Sequence, residues 1–440
     1  MERAKVIGAG LAGCEAAWQI AEAGIKVRLY DMKPKKYSPA HKSPFLCELV
    51  CSNSLKSNEL TNASGLLKEE LRMLDSLIVG CADKCRVPAG GALAVDREKF
   101  SRMVTDKIKS HKNINFTEKE IKDLNLDADI IIVATGPLTS EPLAEYISQI
   151  CGKSLNFFDA AAPIVTAESI DMNHAFFASR YGKGNGEDYL NCPMDKEEYE
   201  LFYNYLINAE RAPVKDFDVL EPKVYEGCMP VEVLASRGKD ALRYGPMKPV
   251  GLQNPETGRC PYAVVQLRRE NISGNLYNMV GFQTNLKFKE QKITFGFIPA
   301  LKNAEFIRFG VMHRNTFIDS PRILDKTYSM KSNSKIFFAG QITGTEGYIE
   351  SVSSGLVAGL NAIKKLKGKN SVIFPQETMT GALASYISDK SIENFQPMGA
   401  NFGIIPPLDE KIRDKKLKKE KIAQRALKLI EKVILNENNS

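Results

Sequence analysis

The hydrophobic pattern of this chain changes period almost at once. Val6-Ile7 reads as the end of a buried strand, Gly8-Ala9-Gly10-Leu11-Ala12-Gly13 as a turn, and the alanine-rich stretch running to Gly24 as a helix. Lys26-Val27-Arg28-Leu29-Tyr30-Asp31 returns to strand character. Farther on, Leu66, Leu67, Leu71, Leu74, Leu77 and Ile78 recur at helical spacing over residues 64–79, and Asp96 to Lys109 predicts another amphipathic helix. Ala128 to Ala134 is a continuous apolar run ending in Thr135-Gly136-Pro137, a buried strand meeting a tight corner. From about residue 180 to 310, after Gly182-Lys183-Gly184-Asn185-Gly186, helical periodicity weakens in favour of short strands, turns and aromatic-rich charged segments. Strand character resumes at Lys335-Ile336-Phe337-Phe338, meets the turn Gly340-Gln341-Ile342-Thr343-Gly344-Thr345-Glu346-Gly347-Tyr348, and gives way to a helix of small residues from Ser351 to Leu366. In the tail, Ile412, Leu417, Ile422, Ala426, Leu429, Ile430 and Val433 fall along one side of a helix over Asp409 to Leu435, with a wet basic face opposite.

Strand, glycine turn, helix, strand and terminal acid in that order form a dinucleotide-binding unit. Gly8 turns the chain, Gly10 lets a pyrophosphate approach the backbone, and Gly13 permits close packing of helix on strand, while the helix N-terminus faces the phosphate charge. Asp31 is placed to accept hydrogen bonds from a ribose 2′-hydroxyl and to repel a 2′-phosphate, which favours FAD or NAD over NADP at this site. The later turns at Gly136 and at Gly340 to Tyr348 are of the kind that pass close to a bound dinucleotide. The expected architecture is α/β: a Rossmann-like FAD-binding domain built from both chain ends, residues 1–180 and 312–440, interrupted by an α+β domain over 181–311.

Composition narrows the class. The chain has 440 residues, 43% hydrophobic and 26% charged, and no apolar run approaches the roughly 20 residues that span a bilayer. The first strand follows Met1 within a few residues, leaving no room for a secretion leader, so a cytoplasmic location is expected. Nine cysteines, at 14, 47, 51, 81, 85, 151, 192, 228 and 260, are scattered and odd in number, which points to reduced thiols. Neither Cys47 and Cys51 nor Cys81 and Cys85 has the two-residue spacing of a zinc half-site, and the four histidines lie far off, so no metal is expected. A net charge of +7, much of it in the tail around Lys411 to Lys421, permits a polyanionic partner.

Four ordered motifs go further: Glu48-Leu-Val-Cys51-Ser-Asn-Ser-Leu-Lys-Ser57, Gly227-Cys228-Met229-Pro230-Val231-Glu232, Val311-Met312-His313-Arg314-Asn315-Thr316, and Phe338 through Tyr348. With the opening glycines they make nearly the whole chain resemble the folate- and FAD-dependent tRNA (uracil-5-)-methyltransferases, the TrmFO family. These are relatives of the wobble-uridine enzyme MnmG, or GidA, whose chains are longer by a C-terminal helical domain. Asp31 stands where the family often has a longer Glu, which leaves ribose binding chemically intact.

The resemblance implies a GidA-type FAD fold and the methylation of C5 of the T-loop uridine of tRNA, forming 5-methyluridine. It implies FAD, 5,10-methylenetetrahydrofolate and NADH or NADPH as cofactors, and tRNA, through its T-arm, as partner. Gly8, Ala9, Gly10, Leu11, Ala12, Gly13, Asp31, Gly136, Gly340, Gln341, Gly347 and Tyr348 are its cofactor-binding positions. Cys228 is marked as the nucleophile that adds across the C5–C6 double bond of uracil, Cys51 as a second thiol beside the flavin, and His313 as the stacking partner of the folate pterin. Arg237, Lys239, Arg243, Lys248, Arg268 and Arg269, with Tyr244 and Tyr262 among them, are the residue types that would hold RNA phosphates and a stacked base. Ribosomal RNA as the substrate, and a non-catalytic FAD- and RNA-binding assembly protein related to MnmG, are the alternatives.

Overall fold

The computed structural model describes residues 3–152, 155–213, 229–255 and 257–438. Five parallel strands form the central sheet in the order Asn333–Phe338, Ile130–Val133, Ala4–Ile7, Val27–Asp31 and Ile114–Glu118, with Ser329–Met330 antiparallel at one edge. Every residue of Ile130–Val133 is buried, as a parallel strand covered on both faces requires, and this is why its sequence is apolar without alternation. The strand from the second part of the chain pairs in register with it, Ile336 beside Ile131 and Phe338 beside Val133, so one sheet is closed from both chain ends.

Two helices bring their N-termini to the C-terminal edge of this sheet: Leu11–Glu22, directly after the first strand, and Tyr348–Leu366. They pack against each other through glycines. A Cβ on Gly355 would lie 2.3 Å from the Ala12 carbonyl oxygen, and one on Gly359 3.1 Å from Ala16 Cα. The second helix starts at Tyr348, earlier than its small-residue pattern suggested. The expected helix over 64–79 is two helices, Ala63–Met73 and Leu77–Lys84. Asp75 adopts a left-handed conformation between them (φ 54°), and the Ser76 hydroxyl accepts the Val79 N–H as the cap of the second. The buried Glu15 carboxylate accepts from the Ser76 hydroxyl and the Ile78 N–H, which ties the break to the first helix.

The inserted unit is an antiparallel sheet in the order Phe176–Phe177, Tyr189–Met194, Ala263–Arg269, Leu276–Met279, Ile164–Thr166 and Phe306–Arg308. It is reached through a two-stranded ribbon, Leu155–Ala160 against Met312–Phe317, so the chain leaves and re-enters the first domain side by side. Strands at 164–166 and 176–177 already belong to this sheet, so the insertion begins earlier than the expected residue 181. It also holds a helix, Lys196–Asn208, that the sequence reading passed over. Its buried stripe is Tyr199, Phe202 and Leu206, two aromatics and a leucine set among polar and charged residues, and Asp195 with Glu198 closes its start as a capping box. The tail helix spans Lys415–Asn438; Ile422, Ala423, Ala426 and Ile430 are buried, whereas Leu417 and Leu435 are exposed.

One buried carboxylate gives a pH prediction. Glu70 accepts the Met379 and Thr380 N–H groups and the Thr380 hydroxyl at 2.7, 2.8 and 2.8 Å, and burial, opposed by those bonds, pushes its pKa from 4.5 up to about 7. The folded state therefore keeps a proton that the unfolded chain releases between those values. The group's contribution to stability is complete below pH 4.5 and is lost as pH rises through about 7. Wild type is expected to lose up to about 3 kcal/mol across this window that Glu70→Gln does not lose. Urea unfolding of both proteins from about pH 5 to 7.5 reads the difference, and parallel slopes would refute it.

Candidate functional site

Two adjoining cavities open at the C-terminal edge of the parallel sheet, each of about 1120 Å³ including solvent at its mouth. They share Val50, Pro137, Leu138, Gln341 and Tyr348 as walls.

The first cavity is the dinucleotide cleft that the opening motif predicts in this place. Gly8, Ala9, Gly10, Leu11, Ala12, Asp31, Gly136, Gly340, Gln341 and Tyr348 all line it. Gly8 has φ 99°, and a Cβ on it would meet the Ala134 carbonyl oxygen at 2.4 Å. A Cβ on Gly10 would meet no protein atom within 4 Å, so the backbone there is open on the cavity side. Gly13 lines neither cavity; its Cβ would fall 1.8 Å from the Gly8 carbonyl oxygen, so it serves the packing of helix on turn. Gly347 faces the second cavity instead.

Gly10 and Gly347 are the N-caps of the two converging helices, and neither makes a side-chain cap bond. The uncapped helix start at Gly10, inside the dinucleotide cleft, is an anion site ready for a pyrophosphate. Asp31 accepts the Ala9 N–H through Oδ2 and the Lys33 N–H through Oδ1, both at 2.8 Å. A carboxylate has about four acceptor positions, so two remain for ribose hydroxyls. These residues fit FAD. The sequence reading missed His41 in the same wall: Ser38 Oγ lies 2.6 Å from its Nδ1, and burial, then the Lys33 charge, holds its pKa below the usual imidazole range.

Cys51 lines the second cavity. Its Sγ donates to the Ala160 carbonyl oxygen at 3.4 Å, and its N–H donates to the Tyr348 hydroxyl at 2.8 Å, which also accepts the Ser52 N–H at 3.3 Å. Burial, then the neighbouring Cys51, raises the Tyr348 phenol above its ordinary range, so at neutral pH it keeps its proton. Gln341 Nε2 donates to both oxygens of Glu346 at 3.0 Å, and Lys56 Nζ pairs with the fully buried Glu350 at 2.8 Å; all four side chains border the cavity.

Cys228 lies outside the described residues, with the rest of 214–228. The residues flanking that stretch share one anchor. On one side Ala212 N–H donates to the Asn285 carbonyl oxygen at 2.7 Å; on the other Val231 N–H donates to that of Gln283, also at 2.7 Å. The buried Glu232 carboxylate, its pKa raised by burial, accepts the Thr284 hydroxyl and the Asn285 N–H and locks this junction. Gln283 lines the second cavity. The backbone of His313 lies in the ribbon strand Met312–Phe317, in register with Asp159; its side chain is outside the described residues, and Asn315 of the same strand lines the second cavity.

Among the basic positions, Arg268 is not at the surface: it is 5% exposed and donates to Asn53 and Ser52. Tyr244 is the most exposed large apolar side chain among the described residues, at 85%, while Arg243 stacks over the Tyr262 ring at 3.6 Å. Among the described residues no group of three or more His, Cys, Asp or Glu side chains could hold a metal ion, and no helix is long and apolar enough to cross a membrane.

The family model described as glucose inhibited division protein A matches residues 3–370. A methylenetetrahydrofolate--tRNA-(uracil-5-)-methyltransferase TrmFO from Acetivibrio thermocellus is 62% identical over 430 residues, 98% of either chain. One of the same name from Natranaerobius thermophilus is 58% identical over 433 residues, 98% of this chain and 99% of that one. Among solved structures, Aquifex aeolicus GidA superposes with a TM-score of 0.70 at 15% identity, covering 98% of this chain and 73% of that chain, a likeness of fold.

Proposed function

Since the chain belongs to the glucose inhibited division protein A family, as one of its TrmFO methyltransferases, we propose that its two cavities carry out folate-dependent methylation of uracil C5 in tRNA, at the T-loop uridine. The observation that carries this reading is the shared wall at Tyr348 and Gln341: a dinucleotide cleft opens beside a second cavity bordered by Cys51 and by Gln283, the anchor next to the Cys228 motif.

The cleft residues Gly8, Gly10 and Asp31 would hold FAD, which when reduced with NADH or NADPH would supply a carrier for the one-carbon unit of 5,10-methylenetetrahydrofolate and the hydride that completes the methyl group. The protein's own residues do the rest. The helix start at Gly10 holds phosphate charge, and Asp31 orients a ribose. Uracil C5 is a poor nucleophile until a thiolate adds at C6; Cys228 is that thiol, and its addition places electron density on C5 for attack on the one-carbon unit. The C5 proton then passes to a base, which expels the Cys228 sulfur from C6 and restores the double bond; we assign the base to Cys51 in the second cavity, acting as its thiolate. His313 stacks the pterin, and the inserted domain meets the T-arm with Arg237, Lys239, Arg243, Lys248 and Tyr244. The reaction belongs in the cytoplasm.

The test is transfer of label from methylenetetrahydrofolate to unmodified tRNA and, in parallel, to ribosomal RNA, with FAD and either nicotinamide. Label at the T-loop uridine supports the proposal. Label in ribosomal RNA alone overturns the substrate, and label in neither overturns the chemistry and leaves a flavin- and RNA-binding protein.

A further inference from the structure

Three guanidiniums converge on the loop that carries Cys51, and the dinucleotide and thiol chemistry above does not require them. Arg97, the first residue of the helix Arg97–Ser110, donates to the Leu49 carbonyl oxygen. Arg308, at the end of the strand Phe306–Arg308, donates to that of Val50. Arg268, in the strand Ala263–Arg269, forks across two residues, donating through Nε to Asn53 Oδ1 at 2.9 Å and through Nη2 to Ser52 Oγ at 2.8 Å. Positions 49, 50, 52 and 53 are each held by a guanidinium, and Cys51 between them is held by the Tyr348 hydroxyl.

The grip crosses the domain boundary. Arg97 belongs to the FAD-binding domain, whereas Arg268 and Arg308 come from the inserted sheet. Asn53, with no exposure, adds its own cross-link by donating to the carbonyl oxygens of Val95 and Arg269 at 3.0 and 2.9 Å. Charge balance makes the arrangement costly. Glu270 is ion-paired with Arg97, and Glu48 accepts the Lys42 and Ser43 N–H groups. Burial pulls Arg268 and Arg308 below the usual guanidinium range, and the Arg97 charge lowers both while the Glu270 carboxylate opposes it without restoring either. Apolar packing would stabilise a loop at lower desolvation cost, so one buried and two half-buried cations on one five-residue loop serve its geometry.

We infer that Arg97, Arg268 and Arg308 are positioning residues that fix the direction of Cys51 Sγ in the second cavity and set this thiol in register with the inserted domain. The inference rests on the reading that Cys51 takes part in the reaction. A lysine keeps the charge but cannot fork across Ser52 and Asn53 or match a planar guanidinium, so Arg268→Lys and Arg308→Lys isolate geometry from field.

In the FAD-loaded full chain, iodoacetamide labelling followed by peptide mass spectrometry reads Cys51 against the exposed Cys260. Each variant is expected to speed Cys51 alkylation about fivefold or more with Cys260 unchanged, and to lower kcat of methyl transfer about tenfold with KM for tRNA and flavin content retained. Ser52→Ala, which leaves the arginines in place and removes the Arg268 Nη2 contact together with the Ser54 N–H bond to the same hydroxyl, is expected to shift Cys51 in the same direction by less and keeps the test open if an arginine variant fails to fold. Unchanged Cys51 labelling overturns the inference, as does acceleration at Cys51 and Cys260 together with flavin loss. Selective Cys51 acceleration in a wild-type background that transfers no methyl group supports the clamp and rejects the proposed function instead.

Discussion

Gly355→Ala is expected to strip the protein of most of its flavin and to cost about 3 kcal/mol of stability. On propensity alone the change would help, since alanine in a helix interior is favoured over glycine by about 1 kcal/mol. Sterics decide otherwise here. The new Cβ would stand 2.3 Å from the Ala12 carbonyl oxygen and 2.7 Å from Ala12 Cα, backbone atoms that cannot rotate away. Relief requires the helices Leu11–Glu22 and Tyr348–Leu366 to separate; the first begins in the dinucleotide cleft, at Gly10, and the second at Gly347 on the adjoining cavity. A shift of about 1 Å there moves the N–H groups that face the pyrophosphate, enough to lose roughly tenfold or more in affinity. Gly80→Ala is the matched control: it lies in the helix Leu77–Lys84 with no atom within 4 Å of its would-be Cβ, and is expected to stabilise by about 0.5–1 kcal/mol. Thermal unfolding and the ratio of flavin to protein absorbance read both. A Gly355→Ala protein that keeps its melting temperature and its flavin would show that the helices do not need this contact.

What could be read from the sequence was what depends on neighbours along the chain. The glycine turn, the helix behind it and Asp31 lie within one contiguous stretch, and their spacing carries their geometry. The same holds for the buried run at Ile130–Val133, whose unbroken apolar character follows from being covered on both faces. The break at Asp75 was lost because the leucines on either side keep helical spacing, while the interruption is written in one left-handed residue and a serine cap. The start of the insertion was lost because Ile164–Thr166 and Phe176–Phe177 are very short strands, and the first pairs with Leu276–Met279, more than 100 positions along the chain. At the site, Arg268 read as an RNA contact because charge suggests exposure. Its true surroundings, Ser52 and Asn53, are more than 200 positions away, |i−j| 216 and 215, and no local pattern announces them. His41 was passed over for the same reason, since its role comes from folding back over Asp31 and Lys33.

Cys228→Ala is expected to lower methyl transfer by roughly 10⁴-fold or more while flavin content stays at the wild-type level. The flavin is unaffected because the dinucleotide cleft draws its walls from the glycine turn, Asp31 and the Gly340 to Tyr348 turn, and not from this motif. The rate falls so far because without addition at C6 the one-carbon unit has no nucleophilic carbon to accept it. Cys51→Ala is expected to be milder, about 10²-fold, the usual range for removing a proton-transfer group. Rate alone does not tell the two thiols apart, since either loss slows turnover. RNA carrying 5-fluorouridine does, because fluorine at C5 cannot leave as a proton and the thiol–base bond is trapped. A covalent protein–RNA band with wild type and Cys51→Ala, absent with Cys228→Ala, assigns the bond to Cys228. The reverse pattern would make Cys51 the nucleophile, and the arginine-held loop would then present the attacking sulfur itself.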